Sequence, residues 1–320
     1  MDPIVFVPFL RPMVWGGRRL EGMLRKELKD EGRYGESWEV SGHEVHVSCT
    51  EQGERLTEVW GRLREGASEL PESFPWLIKF LDCHELLSVQ VHPNDALAAQ
   101  LLGDERGKTE AWIILEVEET GRIYAGLKPG VDRQALEQHL QTGTVADCLH
   151  SFQPRPGDCL YLPAGTVHAV GGGVLMAEVQ QSSDATFRLF DWNRLGSDGQ
   201  PRPLHVREAL TSIDWTAGPV SPVVPQPLAS LPETVNGSQL VSCPYFVLRR
   251  YQLHDVWRMS PAGGFSVWMV LAGSVSLHIT ETNYLRTFQV GDTVLVPEFG
   301  QEVEWSAAGN AELLEVLWPG

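Results

Sequence analysis

GDCLYLPAGTVHAVGGGVLMAEVQQSSDATFRLFDW, residues 157 to 192, is the stretch from which the fold is read. It opens with the spacing G-x5-P-x-G-x2-H, in which Gly157, Pro163, Gly165 and His168 hold the fixed places. A turn glycine, an apolar strand, a proline-containing turn and a returning strand make a hairpin that aims the His168 imidazole into the mouth of a small β-barrel. There an imidazole can bind a metal. A histidine between β-branched residues is ordinarily a satisfied core residue, so the reading turns on the segments upstream. In LLSVQVHPND, residues 86 to 95, strand alternation puts Ser88, Gln90 and His92 on one face and Val89 and Val91 on the other. In GKTEAWIIL, residues 107 to 115, Lys108 and Glu110 share a face by the same rule. His92, Glu110 and His168 with open positions suit Zn²⁺ in a catalytic role, with the amide of Gln90 as a fourth ligand.

The motifs SVQVHP, GKTE, LPAGTVHA and QQSSDATFR, in that order, closely resemble those of the type I mannose-6-phosphate isomerases, zinc-dependent members of the cupin superfamily, in particular their short bacterial branch. The likeness covers residues 8 to 215 well and the remainder more loosely. It implies one Zn²⁺ per chain held by Gln90, His92, Glu110 and His168, the two histidines and the glutamate being the main ligands in short members. It also implies a catalytic Arg188, with Ser88 and Lys108 near the phosphate end of a phosphosugar. The implied reaction is interconversion of mannose 6-phosphate and fructose 6-phosphate through an enediolate-type proton transfer. The implied fold is mainly β, with two cupin-type jelly-roll barrels and a few short helices in the N-terminal part.

A chain of 320 residues can bury one large or two small cores, and its 42% hydrophobic and 21% charged residues are those of a globular protein. A net charge of −17 argues against nucleic acid or an anionic membrane as partner. It also requires positive charge to be gathered locally if the ligand is a sugar phosphate; Lys108, Arg188, Lys79, Lys128 and Arg194 are the candidates. The five cysteines are scattered without a C-x-x-C pair, which fits reduced thiols better than a disulfide framework. MDPIVFVPFLRP shows no basic region before a sustained apolar run, and no window approaches a membrane span, so the cytoplasm is the expected compartment.

Along the chain, GESWEVSGHEVHVSC, residues 35 to 49, reads as strand, and Glu36, Trp38 and Glu39 make a candidate wall for a sugar site. His43 and His46 lie on opposite faces of such a strand and form no ligand pair. Leu56, Val59, Trp60 and Leu63 give an amphipathic helix; ALAAQLL after Pro93-Asn94-Asp95 gives another, residues 131 to 141 a third, and Val206, Ala209, Leu210 and Ile213 a fourth. The glycine run Gly171-Gly172-Gly173 lacks the lysine and following helix of a phosphate loop and reads as a turn. Residues 216 to 237, with five prolines, read as a linker between a metal-binding catalytic unit over 1–215 and a second, metal-free barrel over 238–320. Gly291 and Pro297 repeat the G-x5-P of Gly157 and Pro163, and by counting from the proline Glu302 falls where the first copy has His168.

Isomerisation moves one proton between two carbons and another between their oxygens, and the barrier comes from charge building on oxygen. An arginine is always charged, so Arg188 is a poor base and a good electrostatic partner. Lys108, Glu39 and Asp184 are the candidate bases; Asp184 shares a face with Arg188 if the segment is extended. Two other functional classes compete: a cupin oxygenase or decarboxylase using iron or manganese, and a non-catalytic sugar-binding barrel. The first ordinarily shows an H-x-H pair where this chain has Gln90 and His92. The second predicts a degraded ligand set.

Overall fold

All eight residues of the strand Trp76–Cys83 are buried, as are all eight of its neighbour Val174–Gln181. A strand buried on both faces needs apolar residues at every position rather than alternate ones, and the near-unbroken runs WLIKFLDC and VLMAEVQQ supply them. The reason lies in the architecture of the computed structural model, which describes residues 2–65, 67, 69–195, 199–260, 264–297 and 302–319.

The two strands sit at the centre of a six-stranded antiparallel sheet in the order Phe9–Gly17, Tyr34–Ser41, Trp76–Cys83, Val174–Gln181, Glu110–Val117, Cys159–Leu162. Facing it is a five-stranded sheet: Phe187–Phe190, Val89–Val91, His168–Val170, Ile123–Leu127, Leu149–Phe152. Residues 226–317 repeat the plan with a six-stranded and a four-stranded sheet. One face of each six-stranded sheet lines its own jelly roll. The opposite faces meet, so that Ile78, Phe80 and Ala177 share a core with Phe246, Leu248 and Leu314. The chain is therefore mainly β with two jelly-roll units packed through their larger sheets.

The helices fall at Leu56–Arg64, Asp95–Leu102, Arg133–Thr142 and Val206–Ser212, as the periodicity predicts. Asn94 caps the second by accepting from the Leu97 amide at 2.9 Å, and Asp132 caps the third by accepting from Ala135 at 2.8 Å. Among the described residues no helix is long and apolar enough to cross a membrane.

Three expectations differ from the structure. The strand predicted through residue 49 ends at Ser41; His43 and His46 lie in a turn closed by the His46 amide on the His43 carbonyl (3.0 Å). His43 faces Glu105 and His46 stacks on Phe9, so they remain apart for a reason other than strand parity. The proline-rich segment is strapped along the first unit, Val220 bonding Ala125 and Val223 bonding Cys159, and its end already belongs to the strand Val235–Ser242.

The third difference concerns the repeat. Glu178 lies opposite Lys79 on one side and Trp112 on the other, and Glu315 lies opposite Arg249 and Trp268 in the same way. His168 stands ten residues before Glu178 (178 − 168), as Trp305 stands ten before Glu315 (315 − 305). Trp305, not Glu302, is thus the counterpart of His168, because the second copy has three more residues between its proline and this position. The same register sets Ser266 against Glu110 and Trp257 against Gln90. Indoles and a hydroxyl fill the places where the first unit carries imidazole, carboxylate and amide, and Trp257, Trp268 and Trp305 pack there with Tyr251.

Candidate metal centre and sugar cleft

His92 directly follows the short strand Val89–Val91, just before Pro93, which cannot donate to a ladder, and Glu110 begins the strand on the facing sheet. His168 begins the strand after the Pro163–Thr166 turn. That turn needs Gly165: its φ is +91°, and a Cβ there would come within 3.0 Å of the Asp214 backbone. The Gly165 amide bonds the His92 carbonyl at 2.8 Å, tying two of the three segments together.

The ligand atoms of His92, Glu110 and His168 all lie within 4.8 Å of one another, and the three side chains are 1–2% exposed. Each Nδ1 faces a backbone carbonyl, Ala185 at 2.8 Å for His92 and Thr166 at 2.9 Å for His168. A carbonyl only accepts, so each Nδ1 carries the proton and each Nε2 presents a lone pair. These Nε2 atoms flank the Glu110 carboxylate, His92 at 3.5 Å from Oε2 and His168 at 3.4 Å from Oε1. Glu110 Oε1 is buried without a hydrogen-bond donor.

Burial, then the ammonium of Lys108, pushes His92 down to about 3; burial likewise lowers His168. Burial would raise Glu110, but Lys108 and the two imidazoles outweigh it and hold the carboxyl well below its usual range. Two neutral imidazoles and a carboxylate converging in a buried site are the donor set and protonation state that a divalent metal of zinc's type requires. Gln90 stands beside them with its amide nitrogen 3.2 Å from His168 Nε2. Ligation through its oxygen takes a half-turn of the amide.

Beside the triad, and bordered by its neighbours Gln90 and Lys108, opens a cavity of about 240 Å³ that none of the three ligand residues lines. Of the residues singled out from sequence, Glu36, Lys79, Ser88, Gln90, Lys108, Asp184 and Arg188 line it. Lys108 lies against the triad, in contact with Glu110 and 3.2 Å from His92 Nε2. Arg188 and Ser88 are across the cleft together, the guanidinium Nε 3.3 Å from the Ser88 hydroxyl. Trp38 and Glu39 do not line the cavity. Trp38 is fully buried behind Glu36, donating Nε1 to it at 2.6 Å, with Arg11 over its ring. Glu39, one residue on, points to the other face of the sheet, where it pairs with Lys26 at 2.7 Å and accepts from Ser37 at 2.5 Å. Glu39 therefore faces away from the cleft and does not reach it. Lys128 bonds the Asp147 carbonyl and Arg194 the Leu86 carbonyl, both outside the lining.

The structure adds Glu178, Arg11 and Arg202 to the lining and sets Lys79 against Glu178. Glu178 is 3% exposed, its Oε1 2.9 Å from Lys79 and 3.6 Å from Lys108. Burial lowers Lys79, but Glu178, Glu36 and Asp184 more than reverse this and keep it charged. Burial raises Glu36, and Lys79 and Arg11 outweigh it, so it too stays ionised. The signal for this cross-sheet pair was a charge in the middle of each of two otherwise apolar runs, Lys79 in WLIKFLDC and Glu178 in VLMAEVQQ.

Comparison with known proteins agrees with this geometry. Residues 9–110 match the family described as phosphomannose isomerase type I, catalytic domain. The chain is 31% identical over 301 residues to mannose-6-phosphate isomerase ManA of Bacillus subtilis, covering 92% of this chain and 93% of that one. It is 31% identical over 320 residues to mannose-6-phosphate isomerase of Streptococcus mutans, covering 98% and 97%. The crystal structure of mannose 6-phosphate isomerase from Bacillus subtilis superposes with a TM-score of 0.89 at 28% identity over 99% of both chains.

Proposed function

This chain belongs to the type I phosphomannose isomerases, and from that premise we propose that it is a zinc-dependent isomerase interconverting mannose 6-phosphate and fructose 6-phosphate. The observation that carries the reading is the His92–Glu110–His168 triad set behind Gln90 and Lys108, which line a cleft that Arg188 and Ser88 also line. His92, Glu110 and His168, with Gln90 turned in or not, would hold the zinc, which would supply Lewis-acid polarisation of the sugar oxygens.

The protein's own groups divide the remaining work. Lys108, between Glu110 and Glu178, places an ammonium beside the reacting oxygens and can pass a proton between them. Glu178 is the cavity carboxylate that Lys108 links to the ligand Glu110, and it is the base we assign to the carbon-bound proton. Asp184, exposed at the rim, holds Lys79 by its charge. The geometry supports roles for Arg188 and Lys108 opposite to those the sequence resemblance implies. Lys108 belongs to the reacting end, and Arg188 with Ser88 to the phosphate end.

The test is a coupled assay of mannose 6-phosphate turnover on protein as isolated, after chelation, and after zinc is restored. Turnover that vanishes and returns supports the reading. A zinc-loaded protein with no turnover on this substrate would sink it.

A further inference from the structure

A sugar-phosphate dianion is best held where cationic groups outnumber the carboxylates that pair with them. In the cleft Lys79 faces Glu178 at 2.9 Å, Lys108 contacts Glu110, and Arg11 faces Glu36 at 3.1 Å. Arg188 differs: among the described residues its guanidinium meets only the Ser88 hydroxyl and, at 2.8 Å, the Pro203 carbonyl.

The segment supplying that carbonyl also supplies a second arginine. Arg202 lines the same cavity, and its backbone is fixed relative to Arg188. The His205 amide bonds the Arg188 carbonyl at 2.8 Å, and the Arg188 amide bonds His205 Nδ1 at 3.2 Å. The Arg202 side chain is aimed by Asp191, which is 6% exposed and accepts Nε at 2.7 Å and Nη2 more closely. Arg194 takes the same Asp191 oxygen at 2.6 Å but turns to the Leu86 carbonyl and leaves the cleft to Arg202. Among the described residues one carboxylate therefore serves two guanidiniums, with Arg188 a third. Burial and then the nearby Arg202 lower Arg188, a repulsion that an anion between them relieves.

The distance suits the substrate. Arg188 is opposite Gln90 on the neighbouring strand, and Gln90 is opposite His168 on the next, so the arginine lies two strand spacings, roughly 10 Å, from the triad. We propose, resting on the isomerase reading, that Arg202 is a specificity residue for the 6-phosphate, forming with Arg188 a two-guanidinium clamp that Asp191 holds in place. A bidentate guanidinium matches two phosphate oxygens, which neither an ammonium nor a hydroxyl does.

The test compares wild type with Arg202→Ala, both zinc-loaded, in three measurements: kinetics on mannose 6-phosphate, kinetics on unphosphorylated mannose, and calorimetric binding of inorganic phosphate. The expected result is a rise of roughly 10- to 100-fold in both the KM for mannose 6-phosphate and the Kd for inorganic phosphate. The preference for phosphorylated over unphosphorylated sugar should fall by a similar factor. Unchanged phosphate affinity, or an equal loss on both sugars, would overturn the assignment. Phosphate binding weakened by the variant, with no isomerisation by either protein, would sink the isomerase reading and leave the clamp standing. If Arg202→Ala does not fold, Arg202→Gln, which keeps a donor for Asp191, carries the same comparison.

Discussion

Replacing Glu178 by glutamine keeps the shape of the side chain and removes only its charge. Two effects follow, and their sizes separate the catalytic role from a structural one. Lys79, 5% exposed and 2.9 Å from Glu178, loses its nearest counter-ion. Stranding a buried charge costs about 3–5 kcal/mol. Here Glu36 and Asp184 still hold Lys79, so we expect the loss of stability to lie at or below the lower end, about 3 kcal/mol. The catalytic loss should be larger, because a positioned general base contributes about 10²- to 10⁴-fold. We therefore expect kcat on mannose 6-phosphate to fall by about 10³, with KM nearly unchanged and zinc still bound, since Glu178 is not in the triad. The assay is steady-state kinetics beside zinc content and a thermal melt on one preparation. A kcat within threefold of wild type would refute Glu178 as the base. Zinc lost together with activity would show that it acts through Glu110 instead.

Other outcomes are equally open to measurement. His92→Ala should lose both zinc and turnover, since it removes one of three buried ligand atoms; elemental analysis showing full zinc would refute its place in the centre. Burial raises Glu315 from about 4.5 to about 7 against the opposing Tyr251 hydroxyl and Arg249. The folded state holds this proton more tightly, so the stability it contributes is full below about pH 4.5 and lost as pH rises through about 7, about 3 kcal/mol in all. Glu315→Gln should flatten the melting temperature between pH 5 and 8, and an unchanged slope would remove Glu315 as its source. Tyr245 of the second unit donates to Asp95 at 2.8 Å, Asp95 accepts from Gln181 at 3.0 Å, and Gln181 accepts from the Thr109 amide at 2.8 Å, between Lys108 and Glu110. Tyr245→Phe should lower kcat by roughly two- to tenfold with little change in melting; wild-type kcat would show that this chain of bonds carries nothing to the site.

The metal triad was legible in the sequence because period-2 alternation states which side chains share a face, and SVQVH, KTE and the G-x5-P-x-G-x2-H hairpin each carry that period. The cross-sheet contacts were not legible. Lys79 and Glu178 meet because two strands far apart in the chain are neighbours with Lys79 opposite Glu178, and register is a property of the pair. Glu39 was misplaced for a local reason: it is an odd step from Trp38, and a bulge follows between Trp38 and Val40. Arg202 lies in a segment without period, so no pattern marks it, and the ties from His205 and Pro203 to Arg188, with its own pair to Asp191, bring it to the cleft. Glu302 failed as the counterpart of His168 because counting from a proline assumes equal loops. The Glu178 and Glu315 crossings supply an anchor that does not depend on loop length.

A net charge of −17 opposes the dianion of the proposed substrate, but the opposition falls off with distance. At about 20 Å in water two unit charges interact by about 0.2 kcal/mol. Screening over a Debye length of about 8 Å reduces that roughly tenfold. Seventeen such charges together then repel each substrate charge by only about 0.3 kcal/mol. A guanidinium about 4 Å from a phosphate oxygen, at an effective dielectric near 20, contributes about 4 kcal/mol before desolvation. The local arrangement therefore decides: Arg11, Lys79, Lys108, Arg188 and Arg202 line the cleft with Glu36, Glu178 and Asp184, Lys108 and Arg202 are paired besides with Glu110 and Asp191, and among the described residues Arg188 has no carboxylate in contact. Acidic residues elsewhere are free to serve solubility. Those that reach the cleft are held beside lysine or arginine, where they fix a cation in place and leave the arginines at its far end for the phosphate.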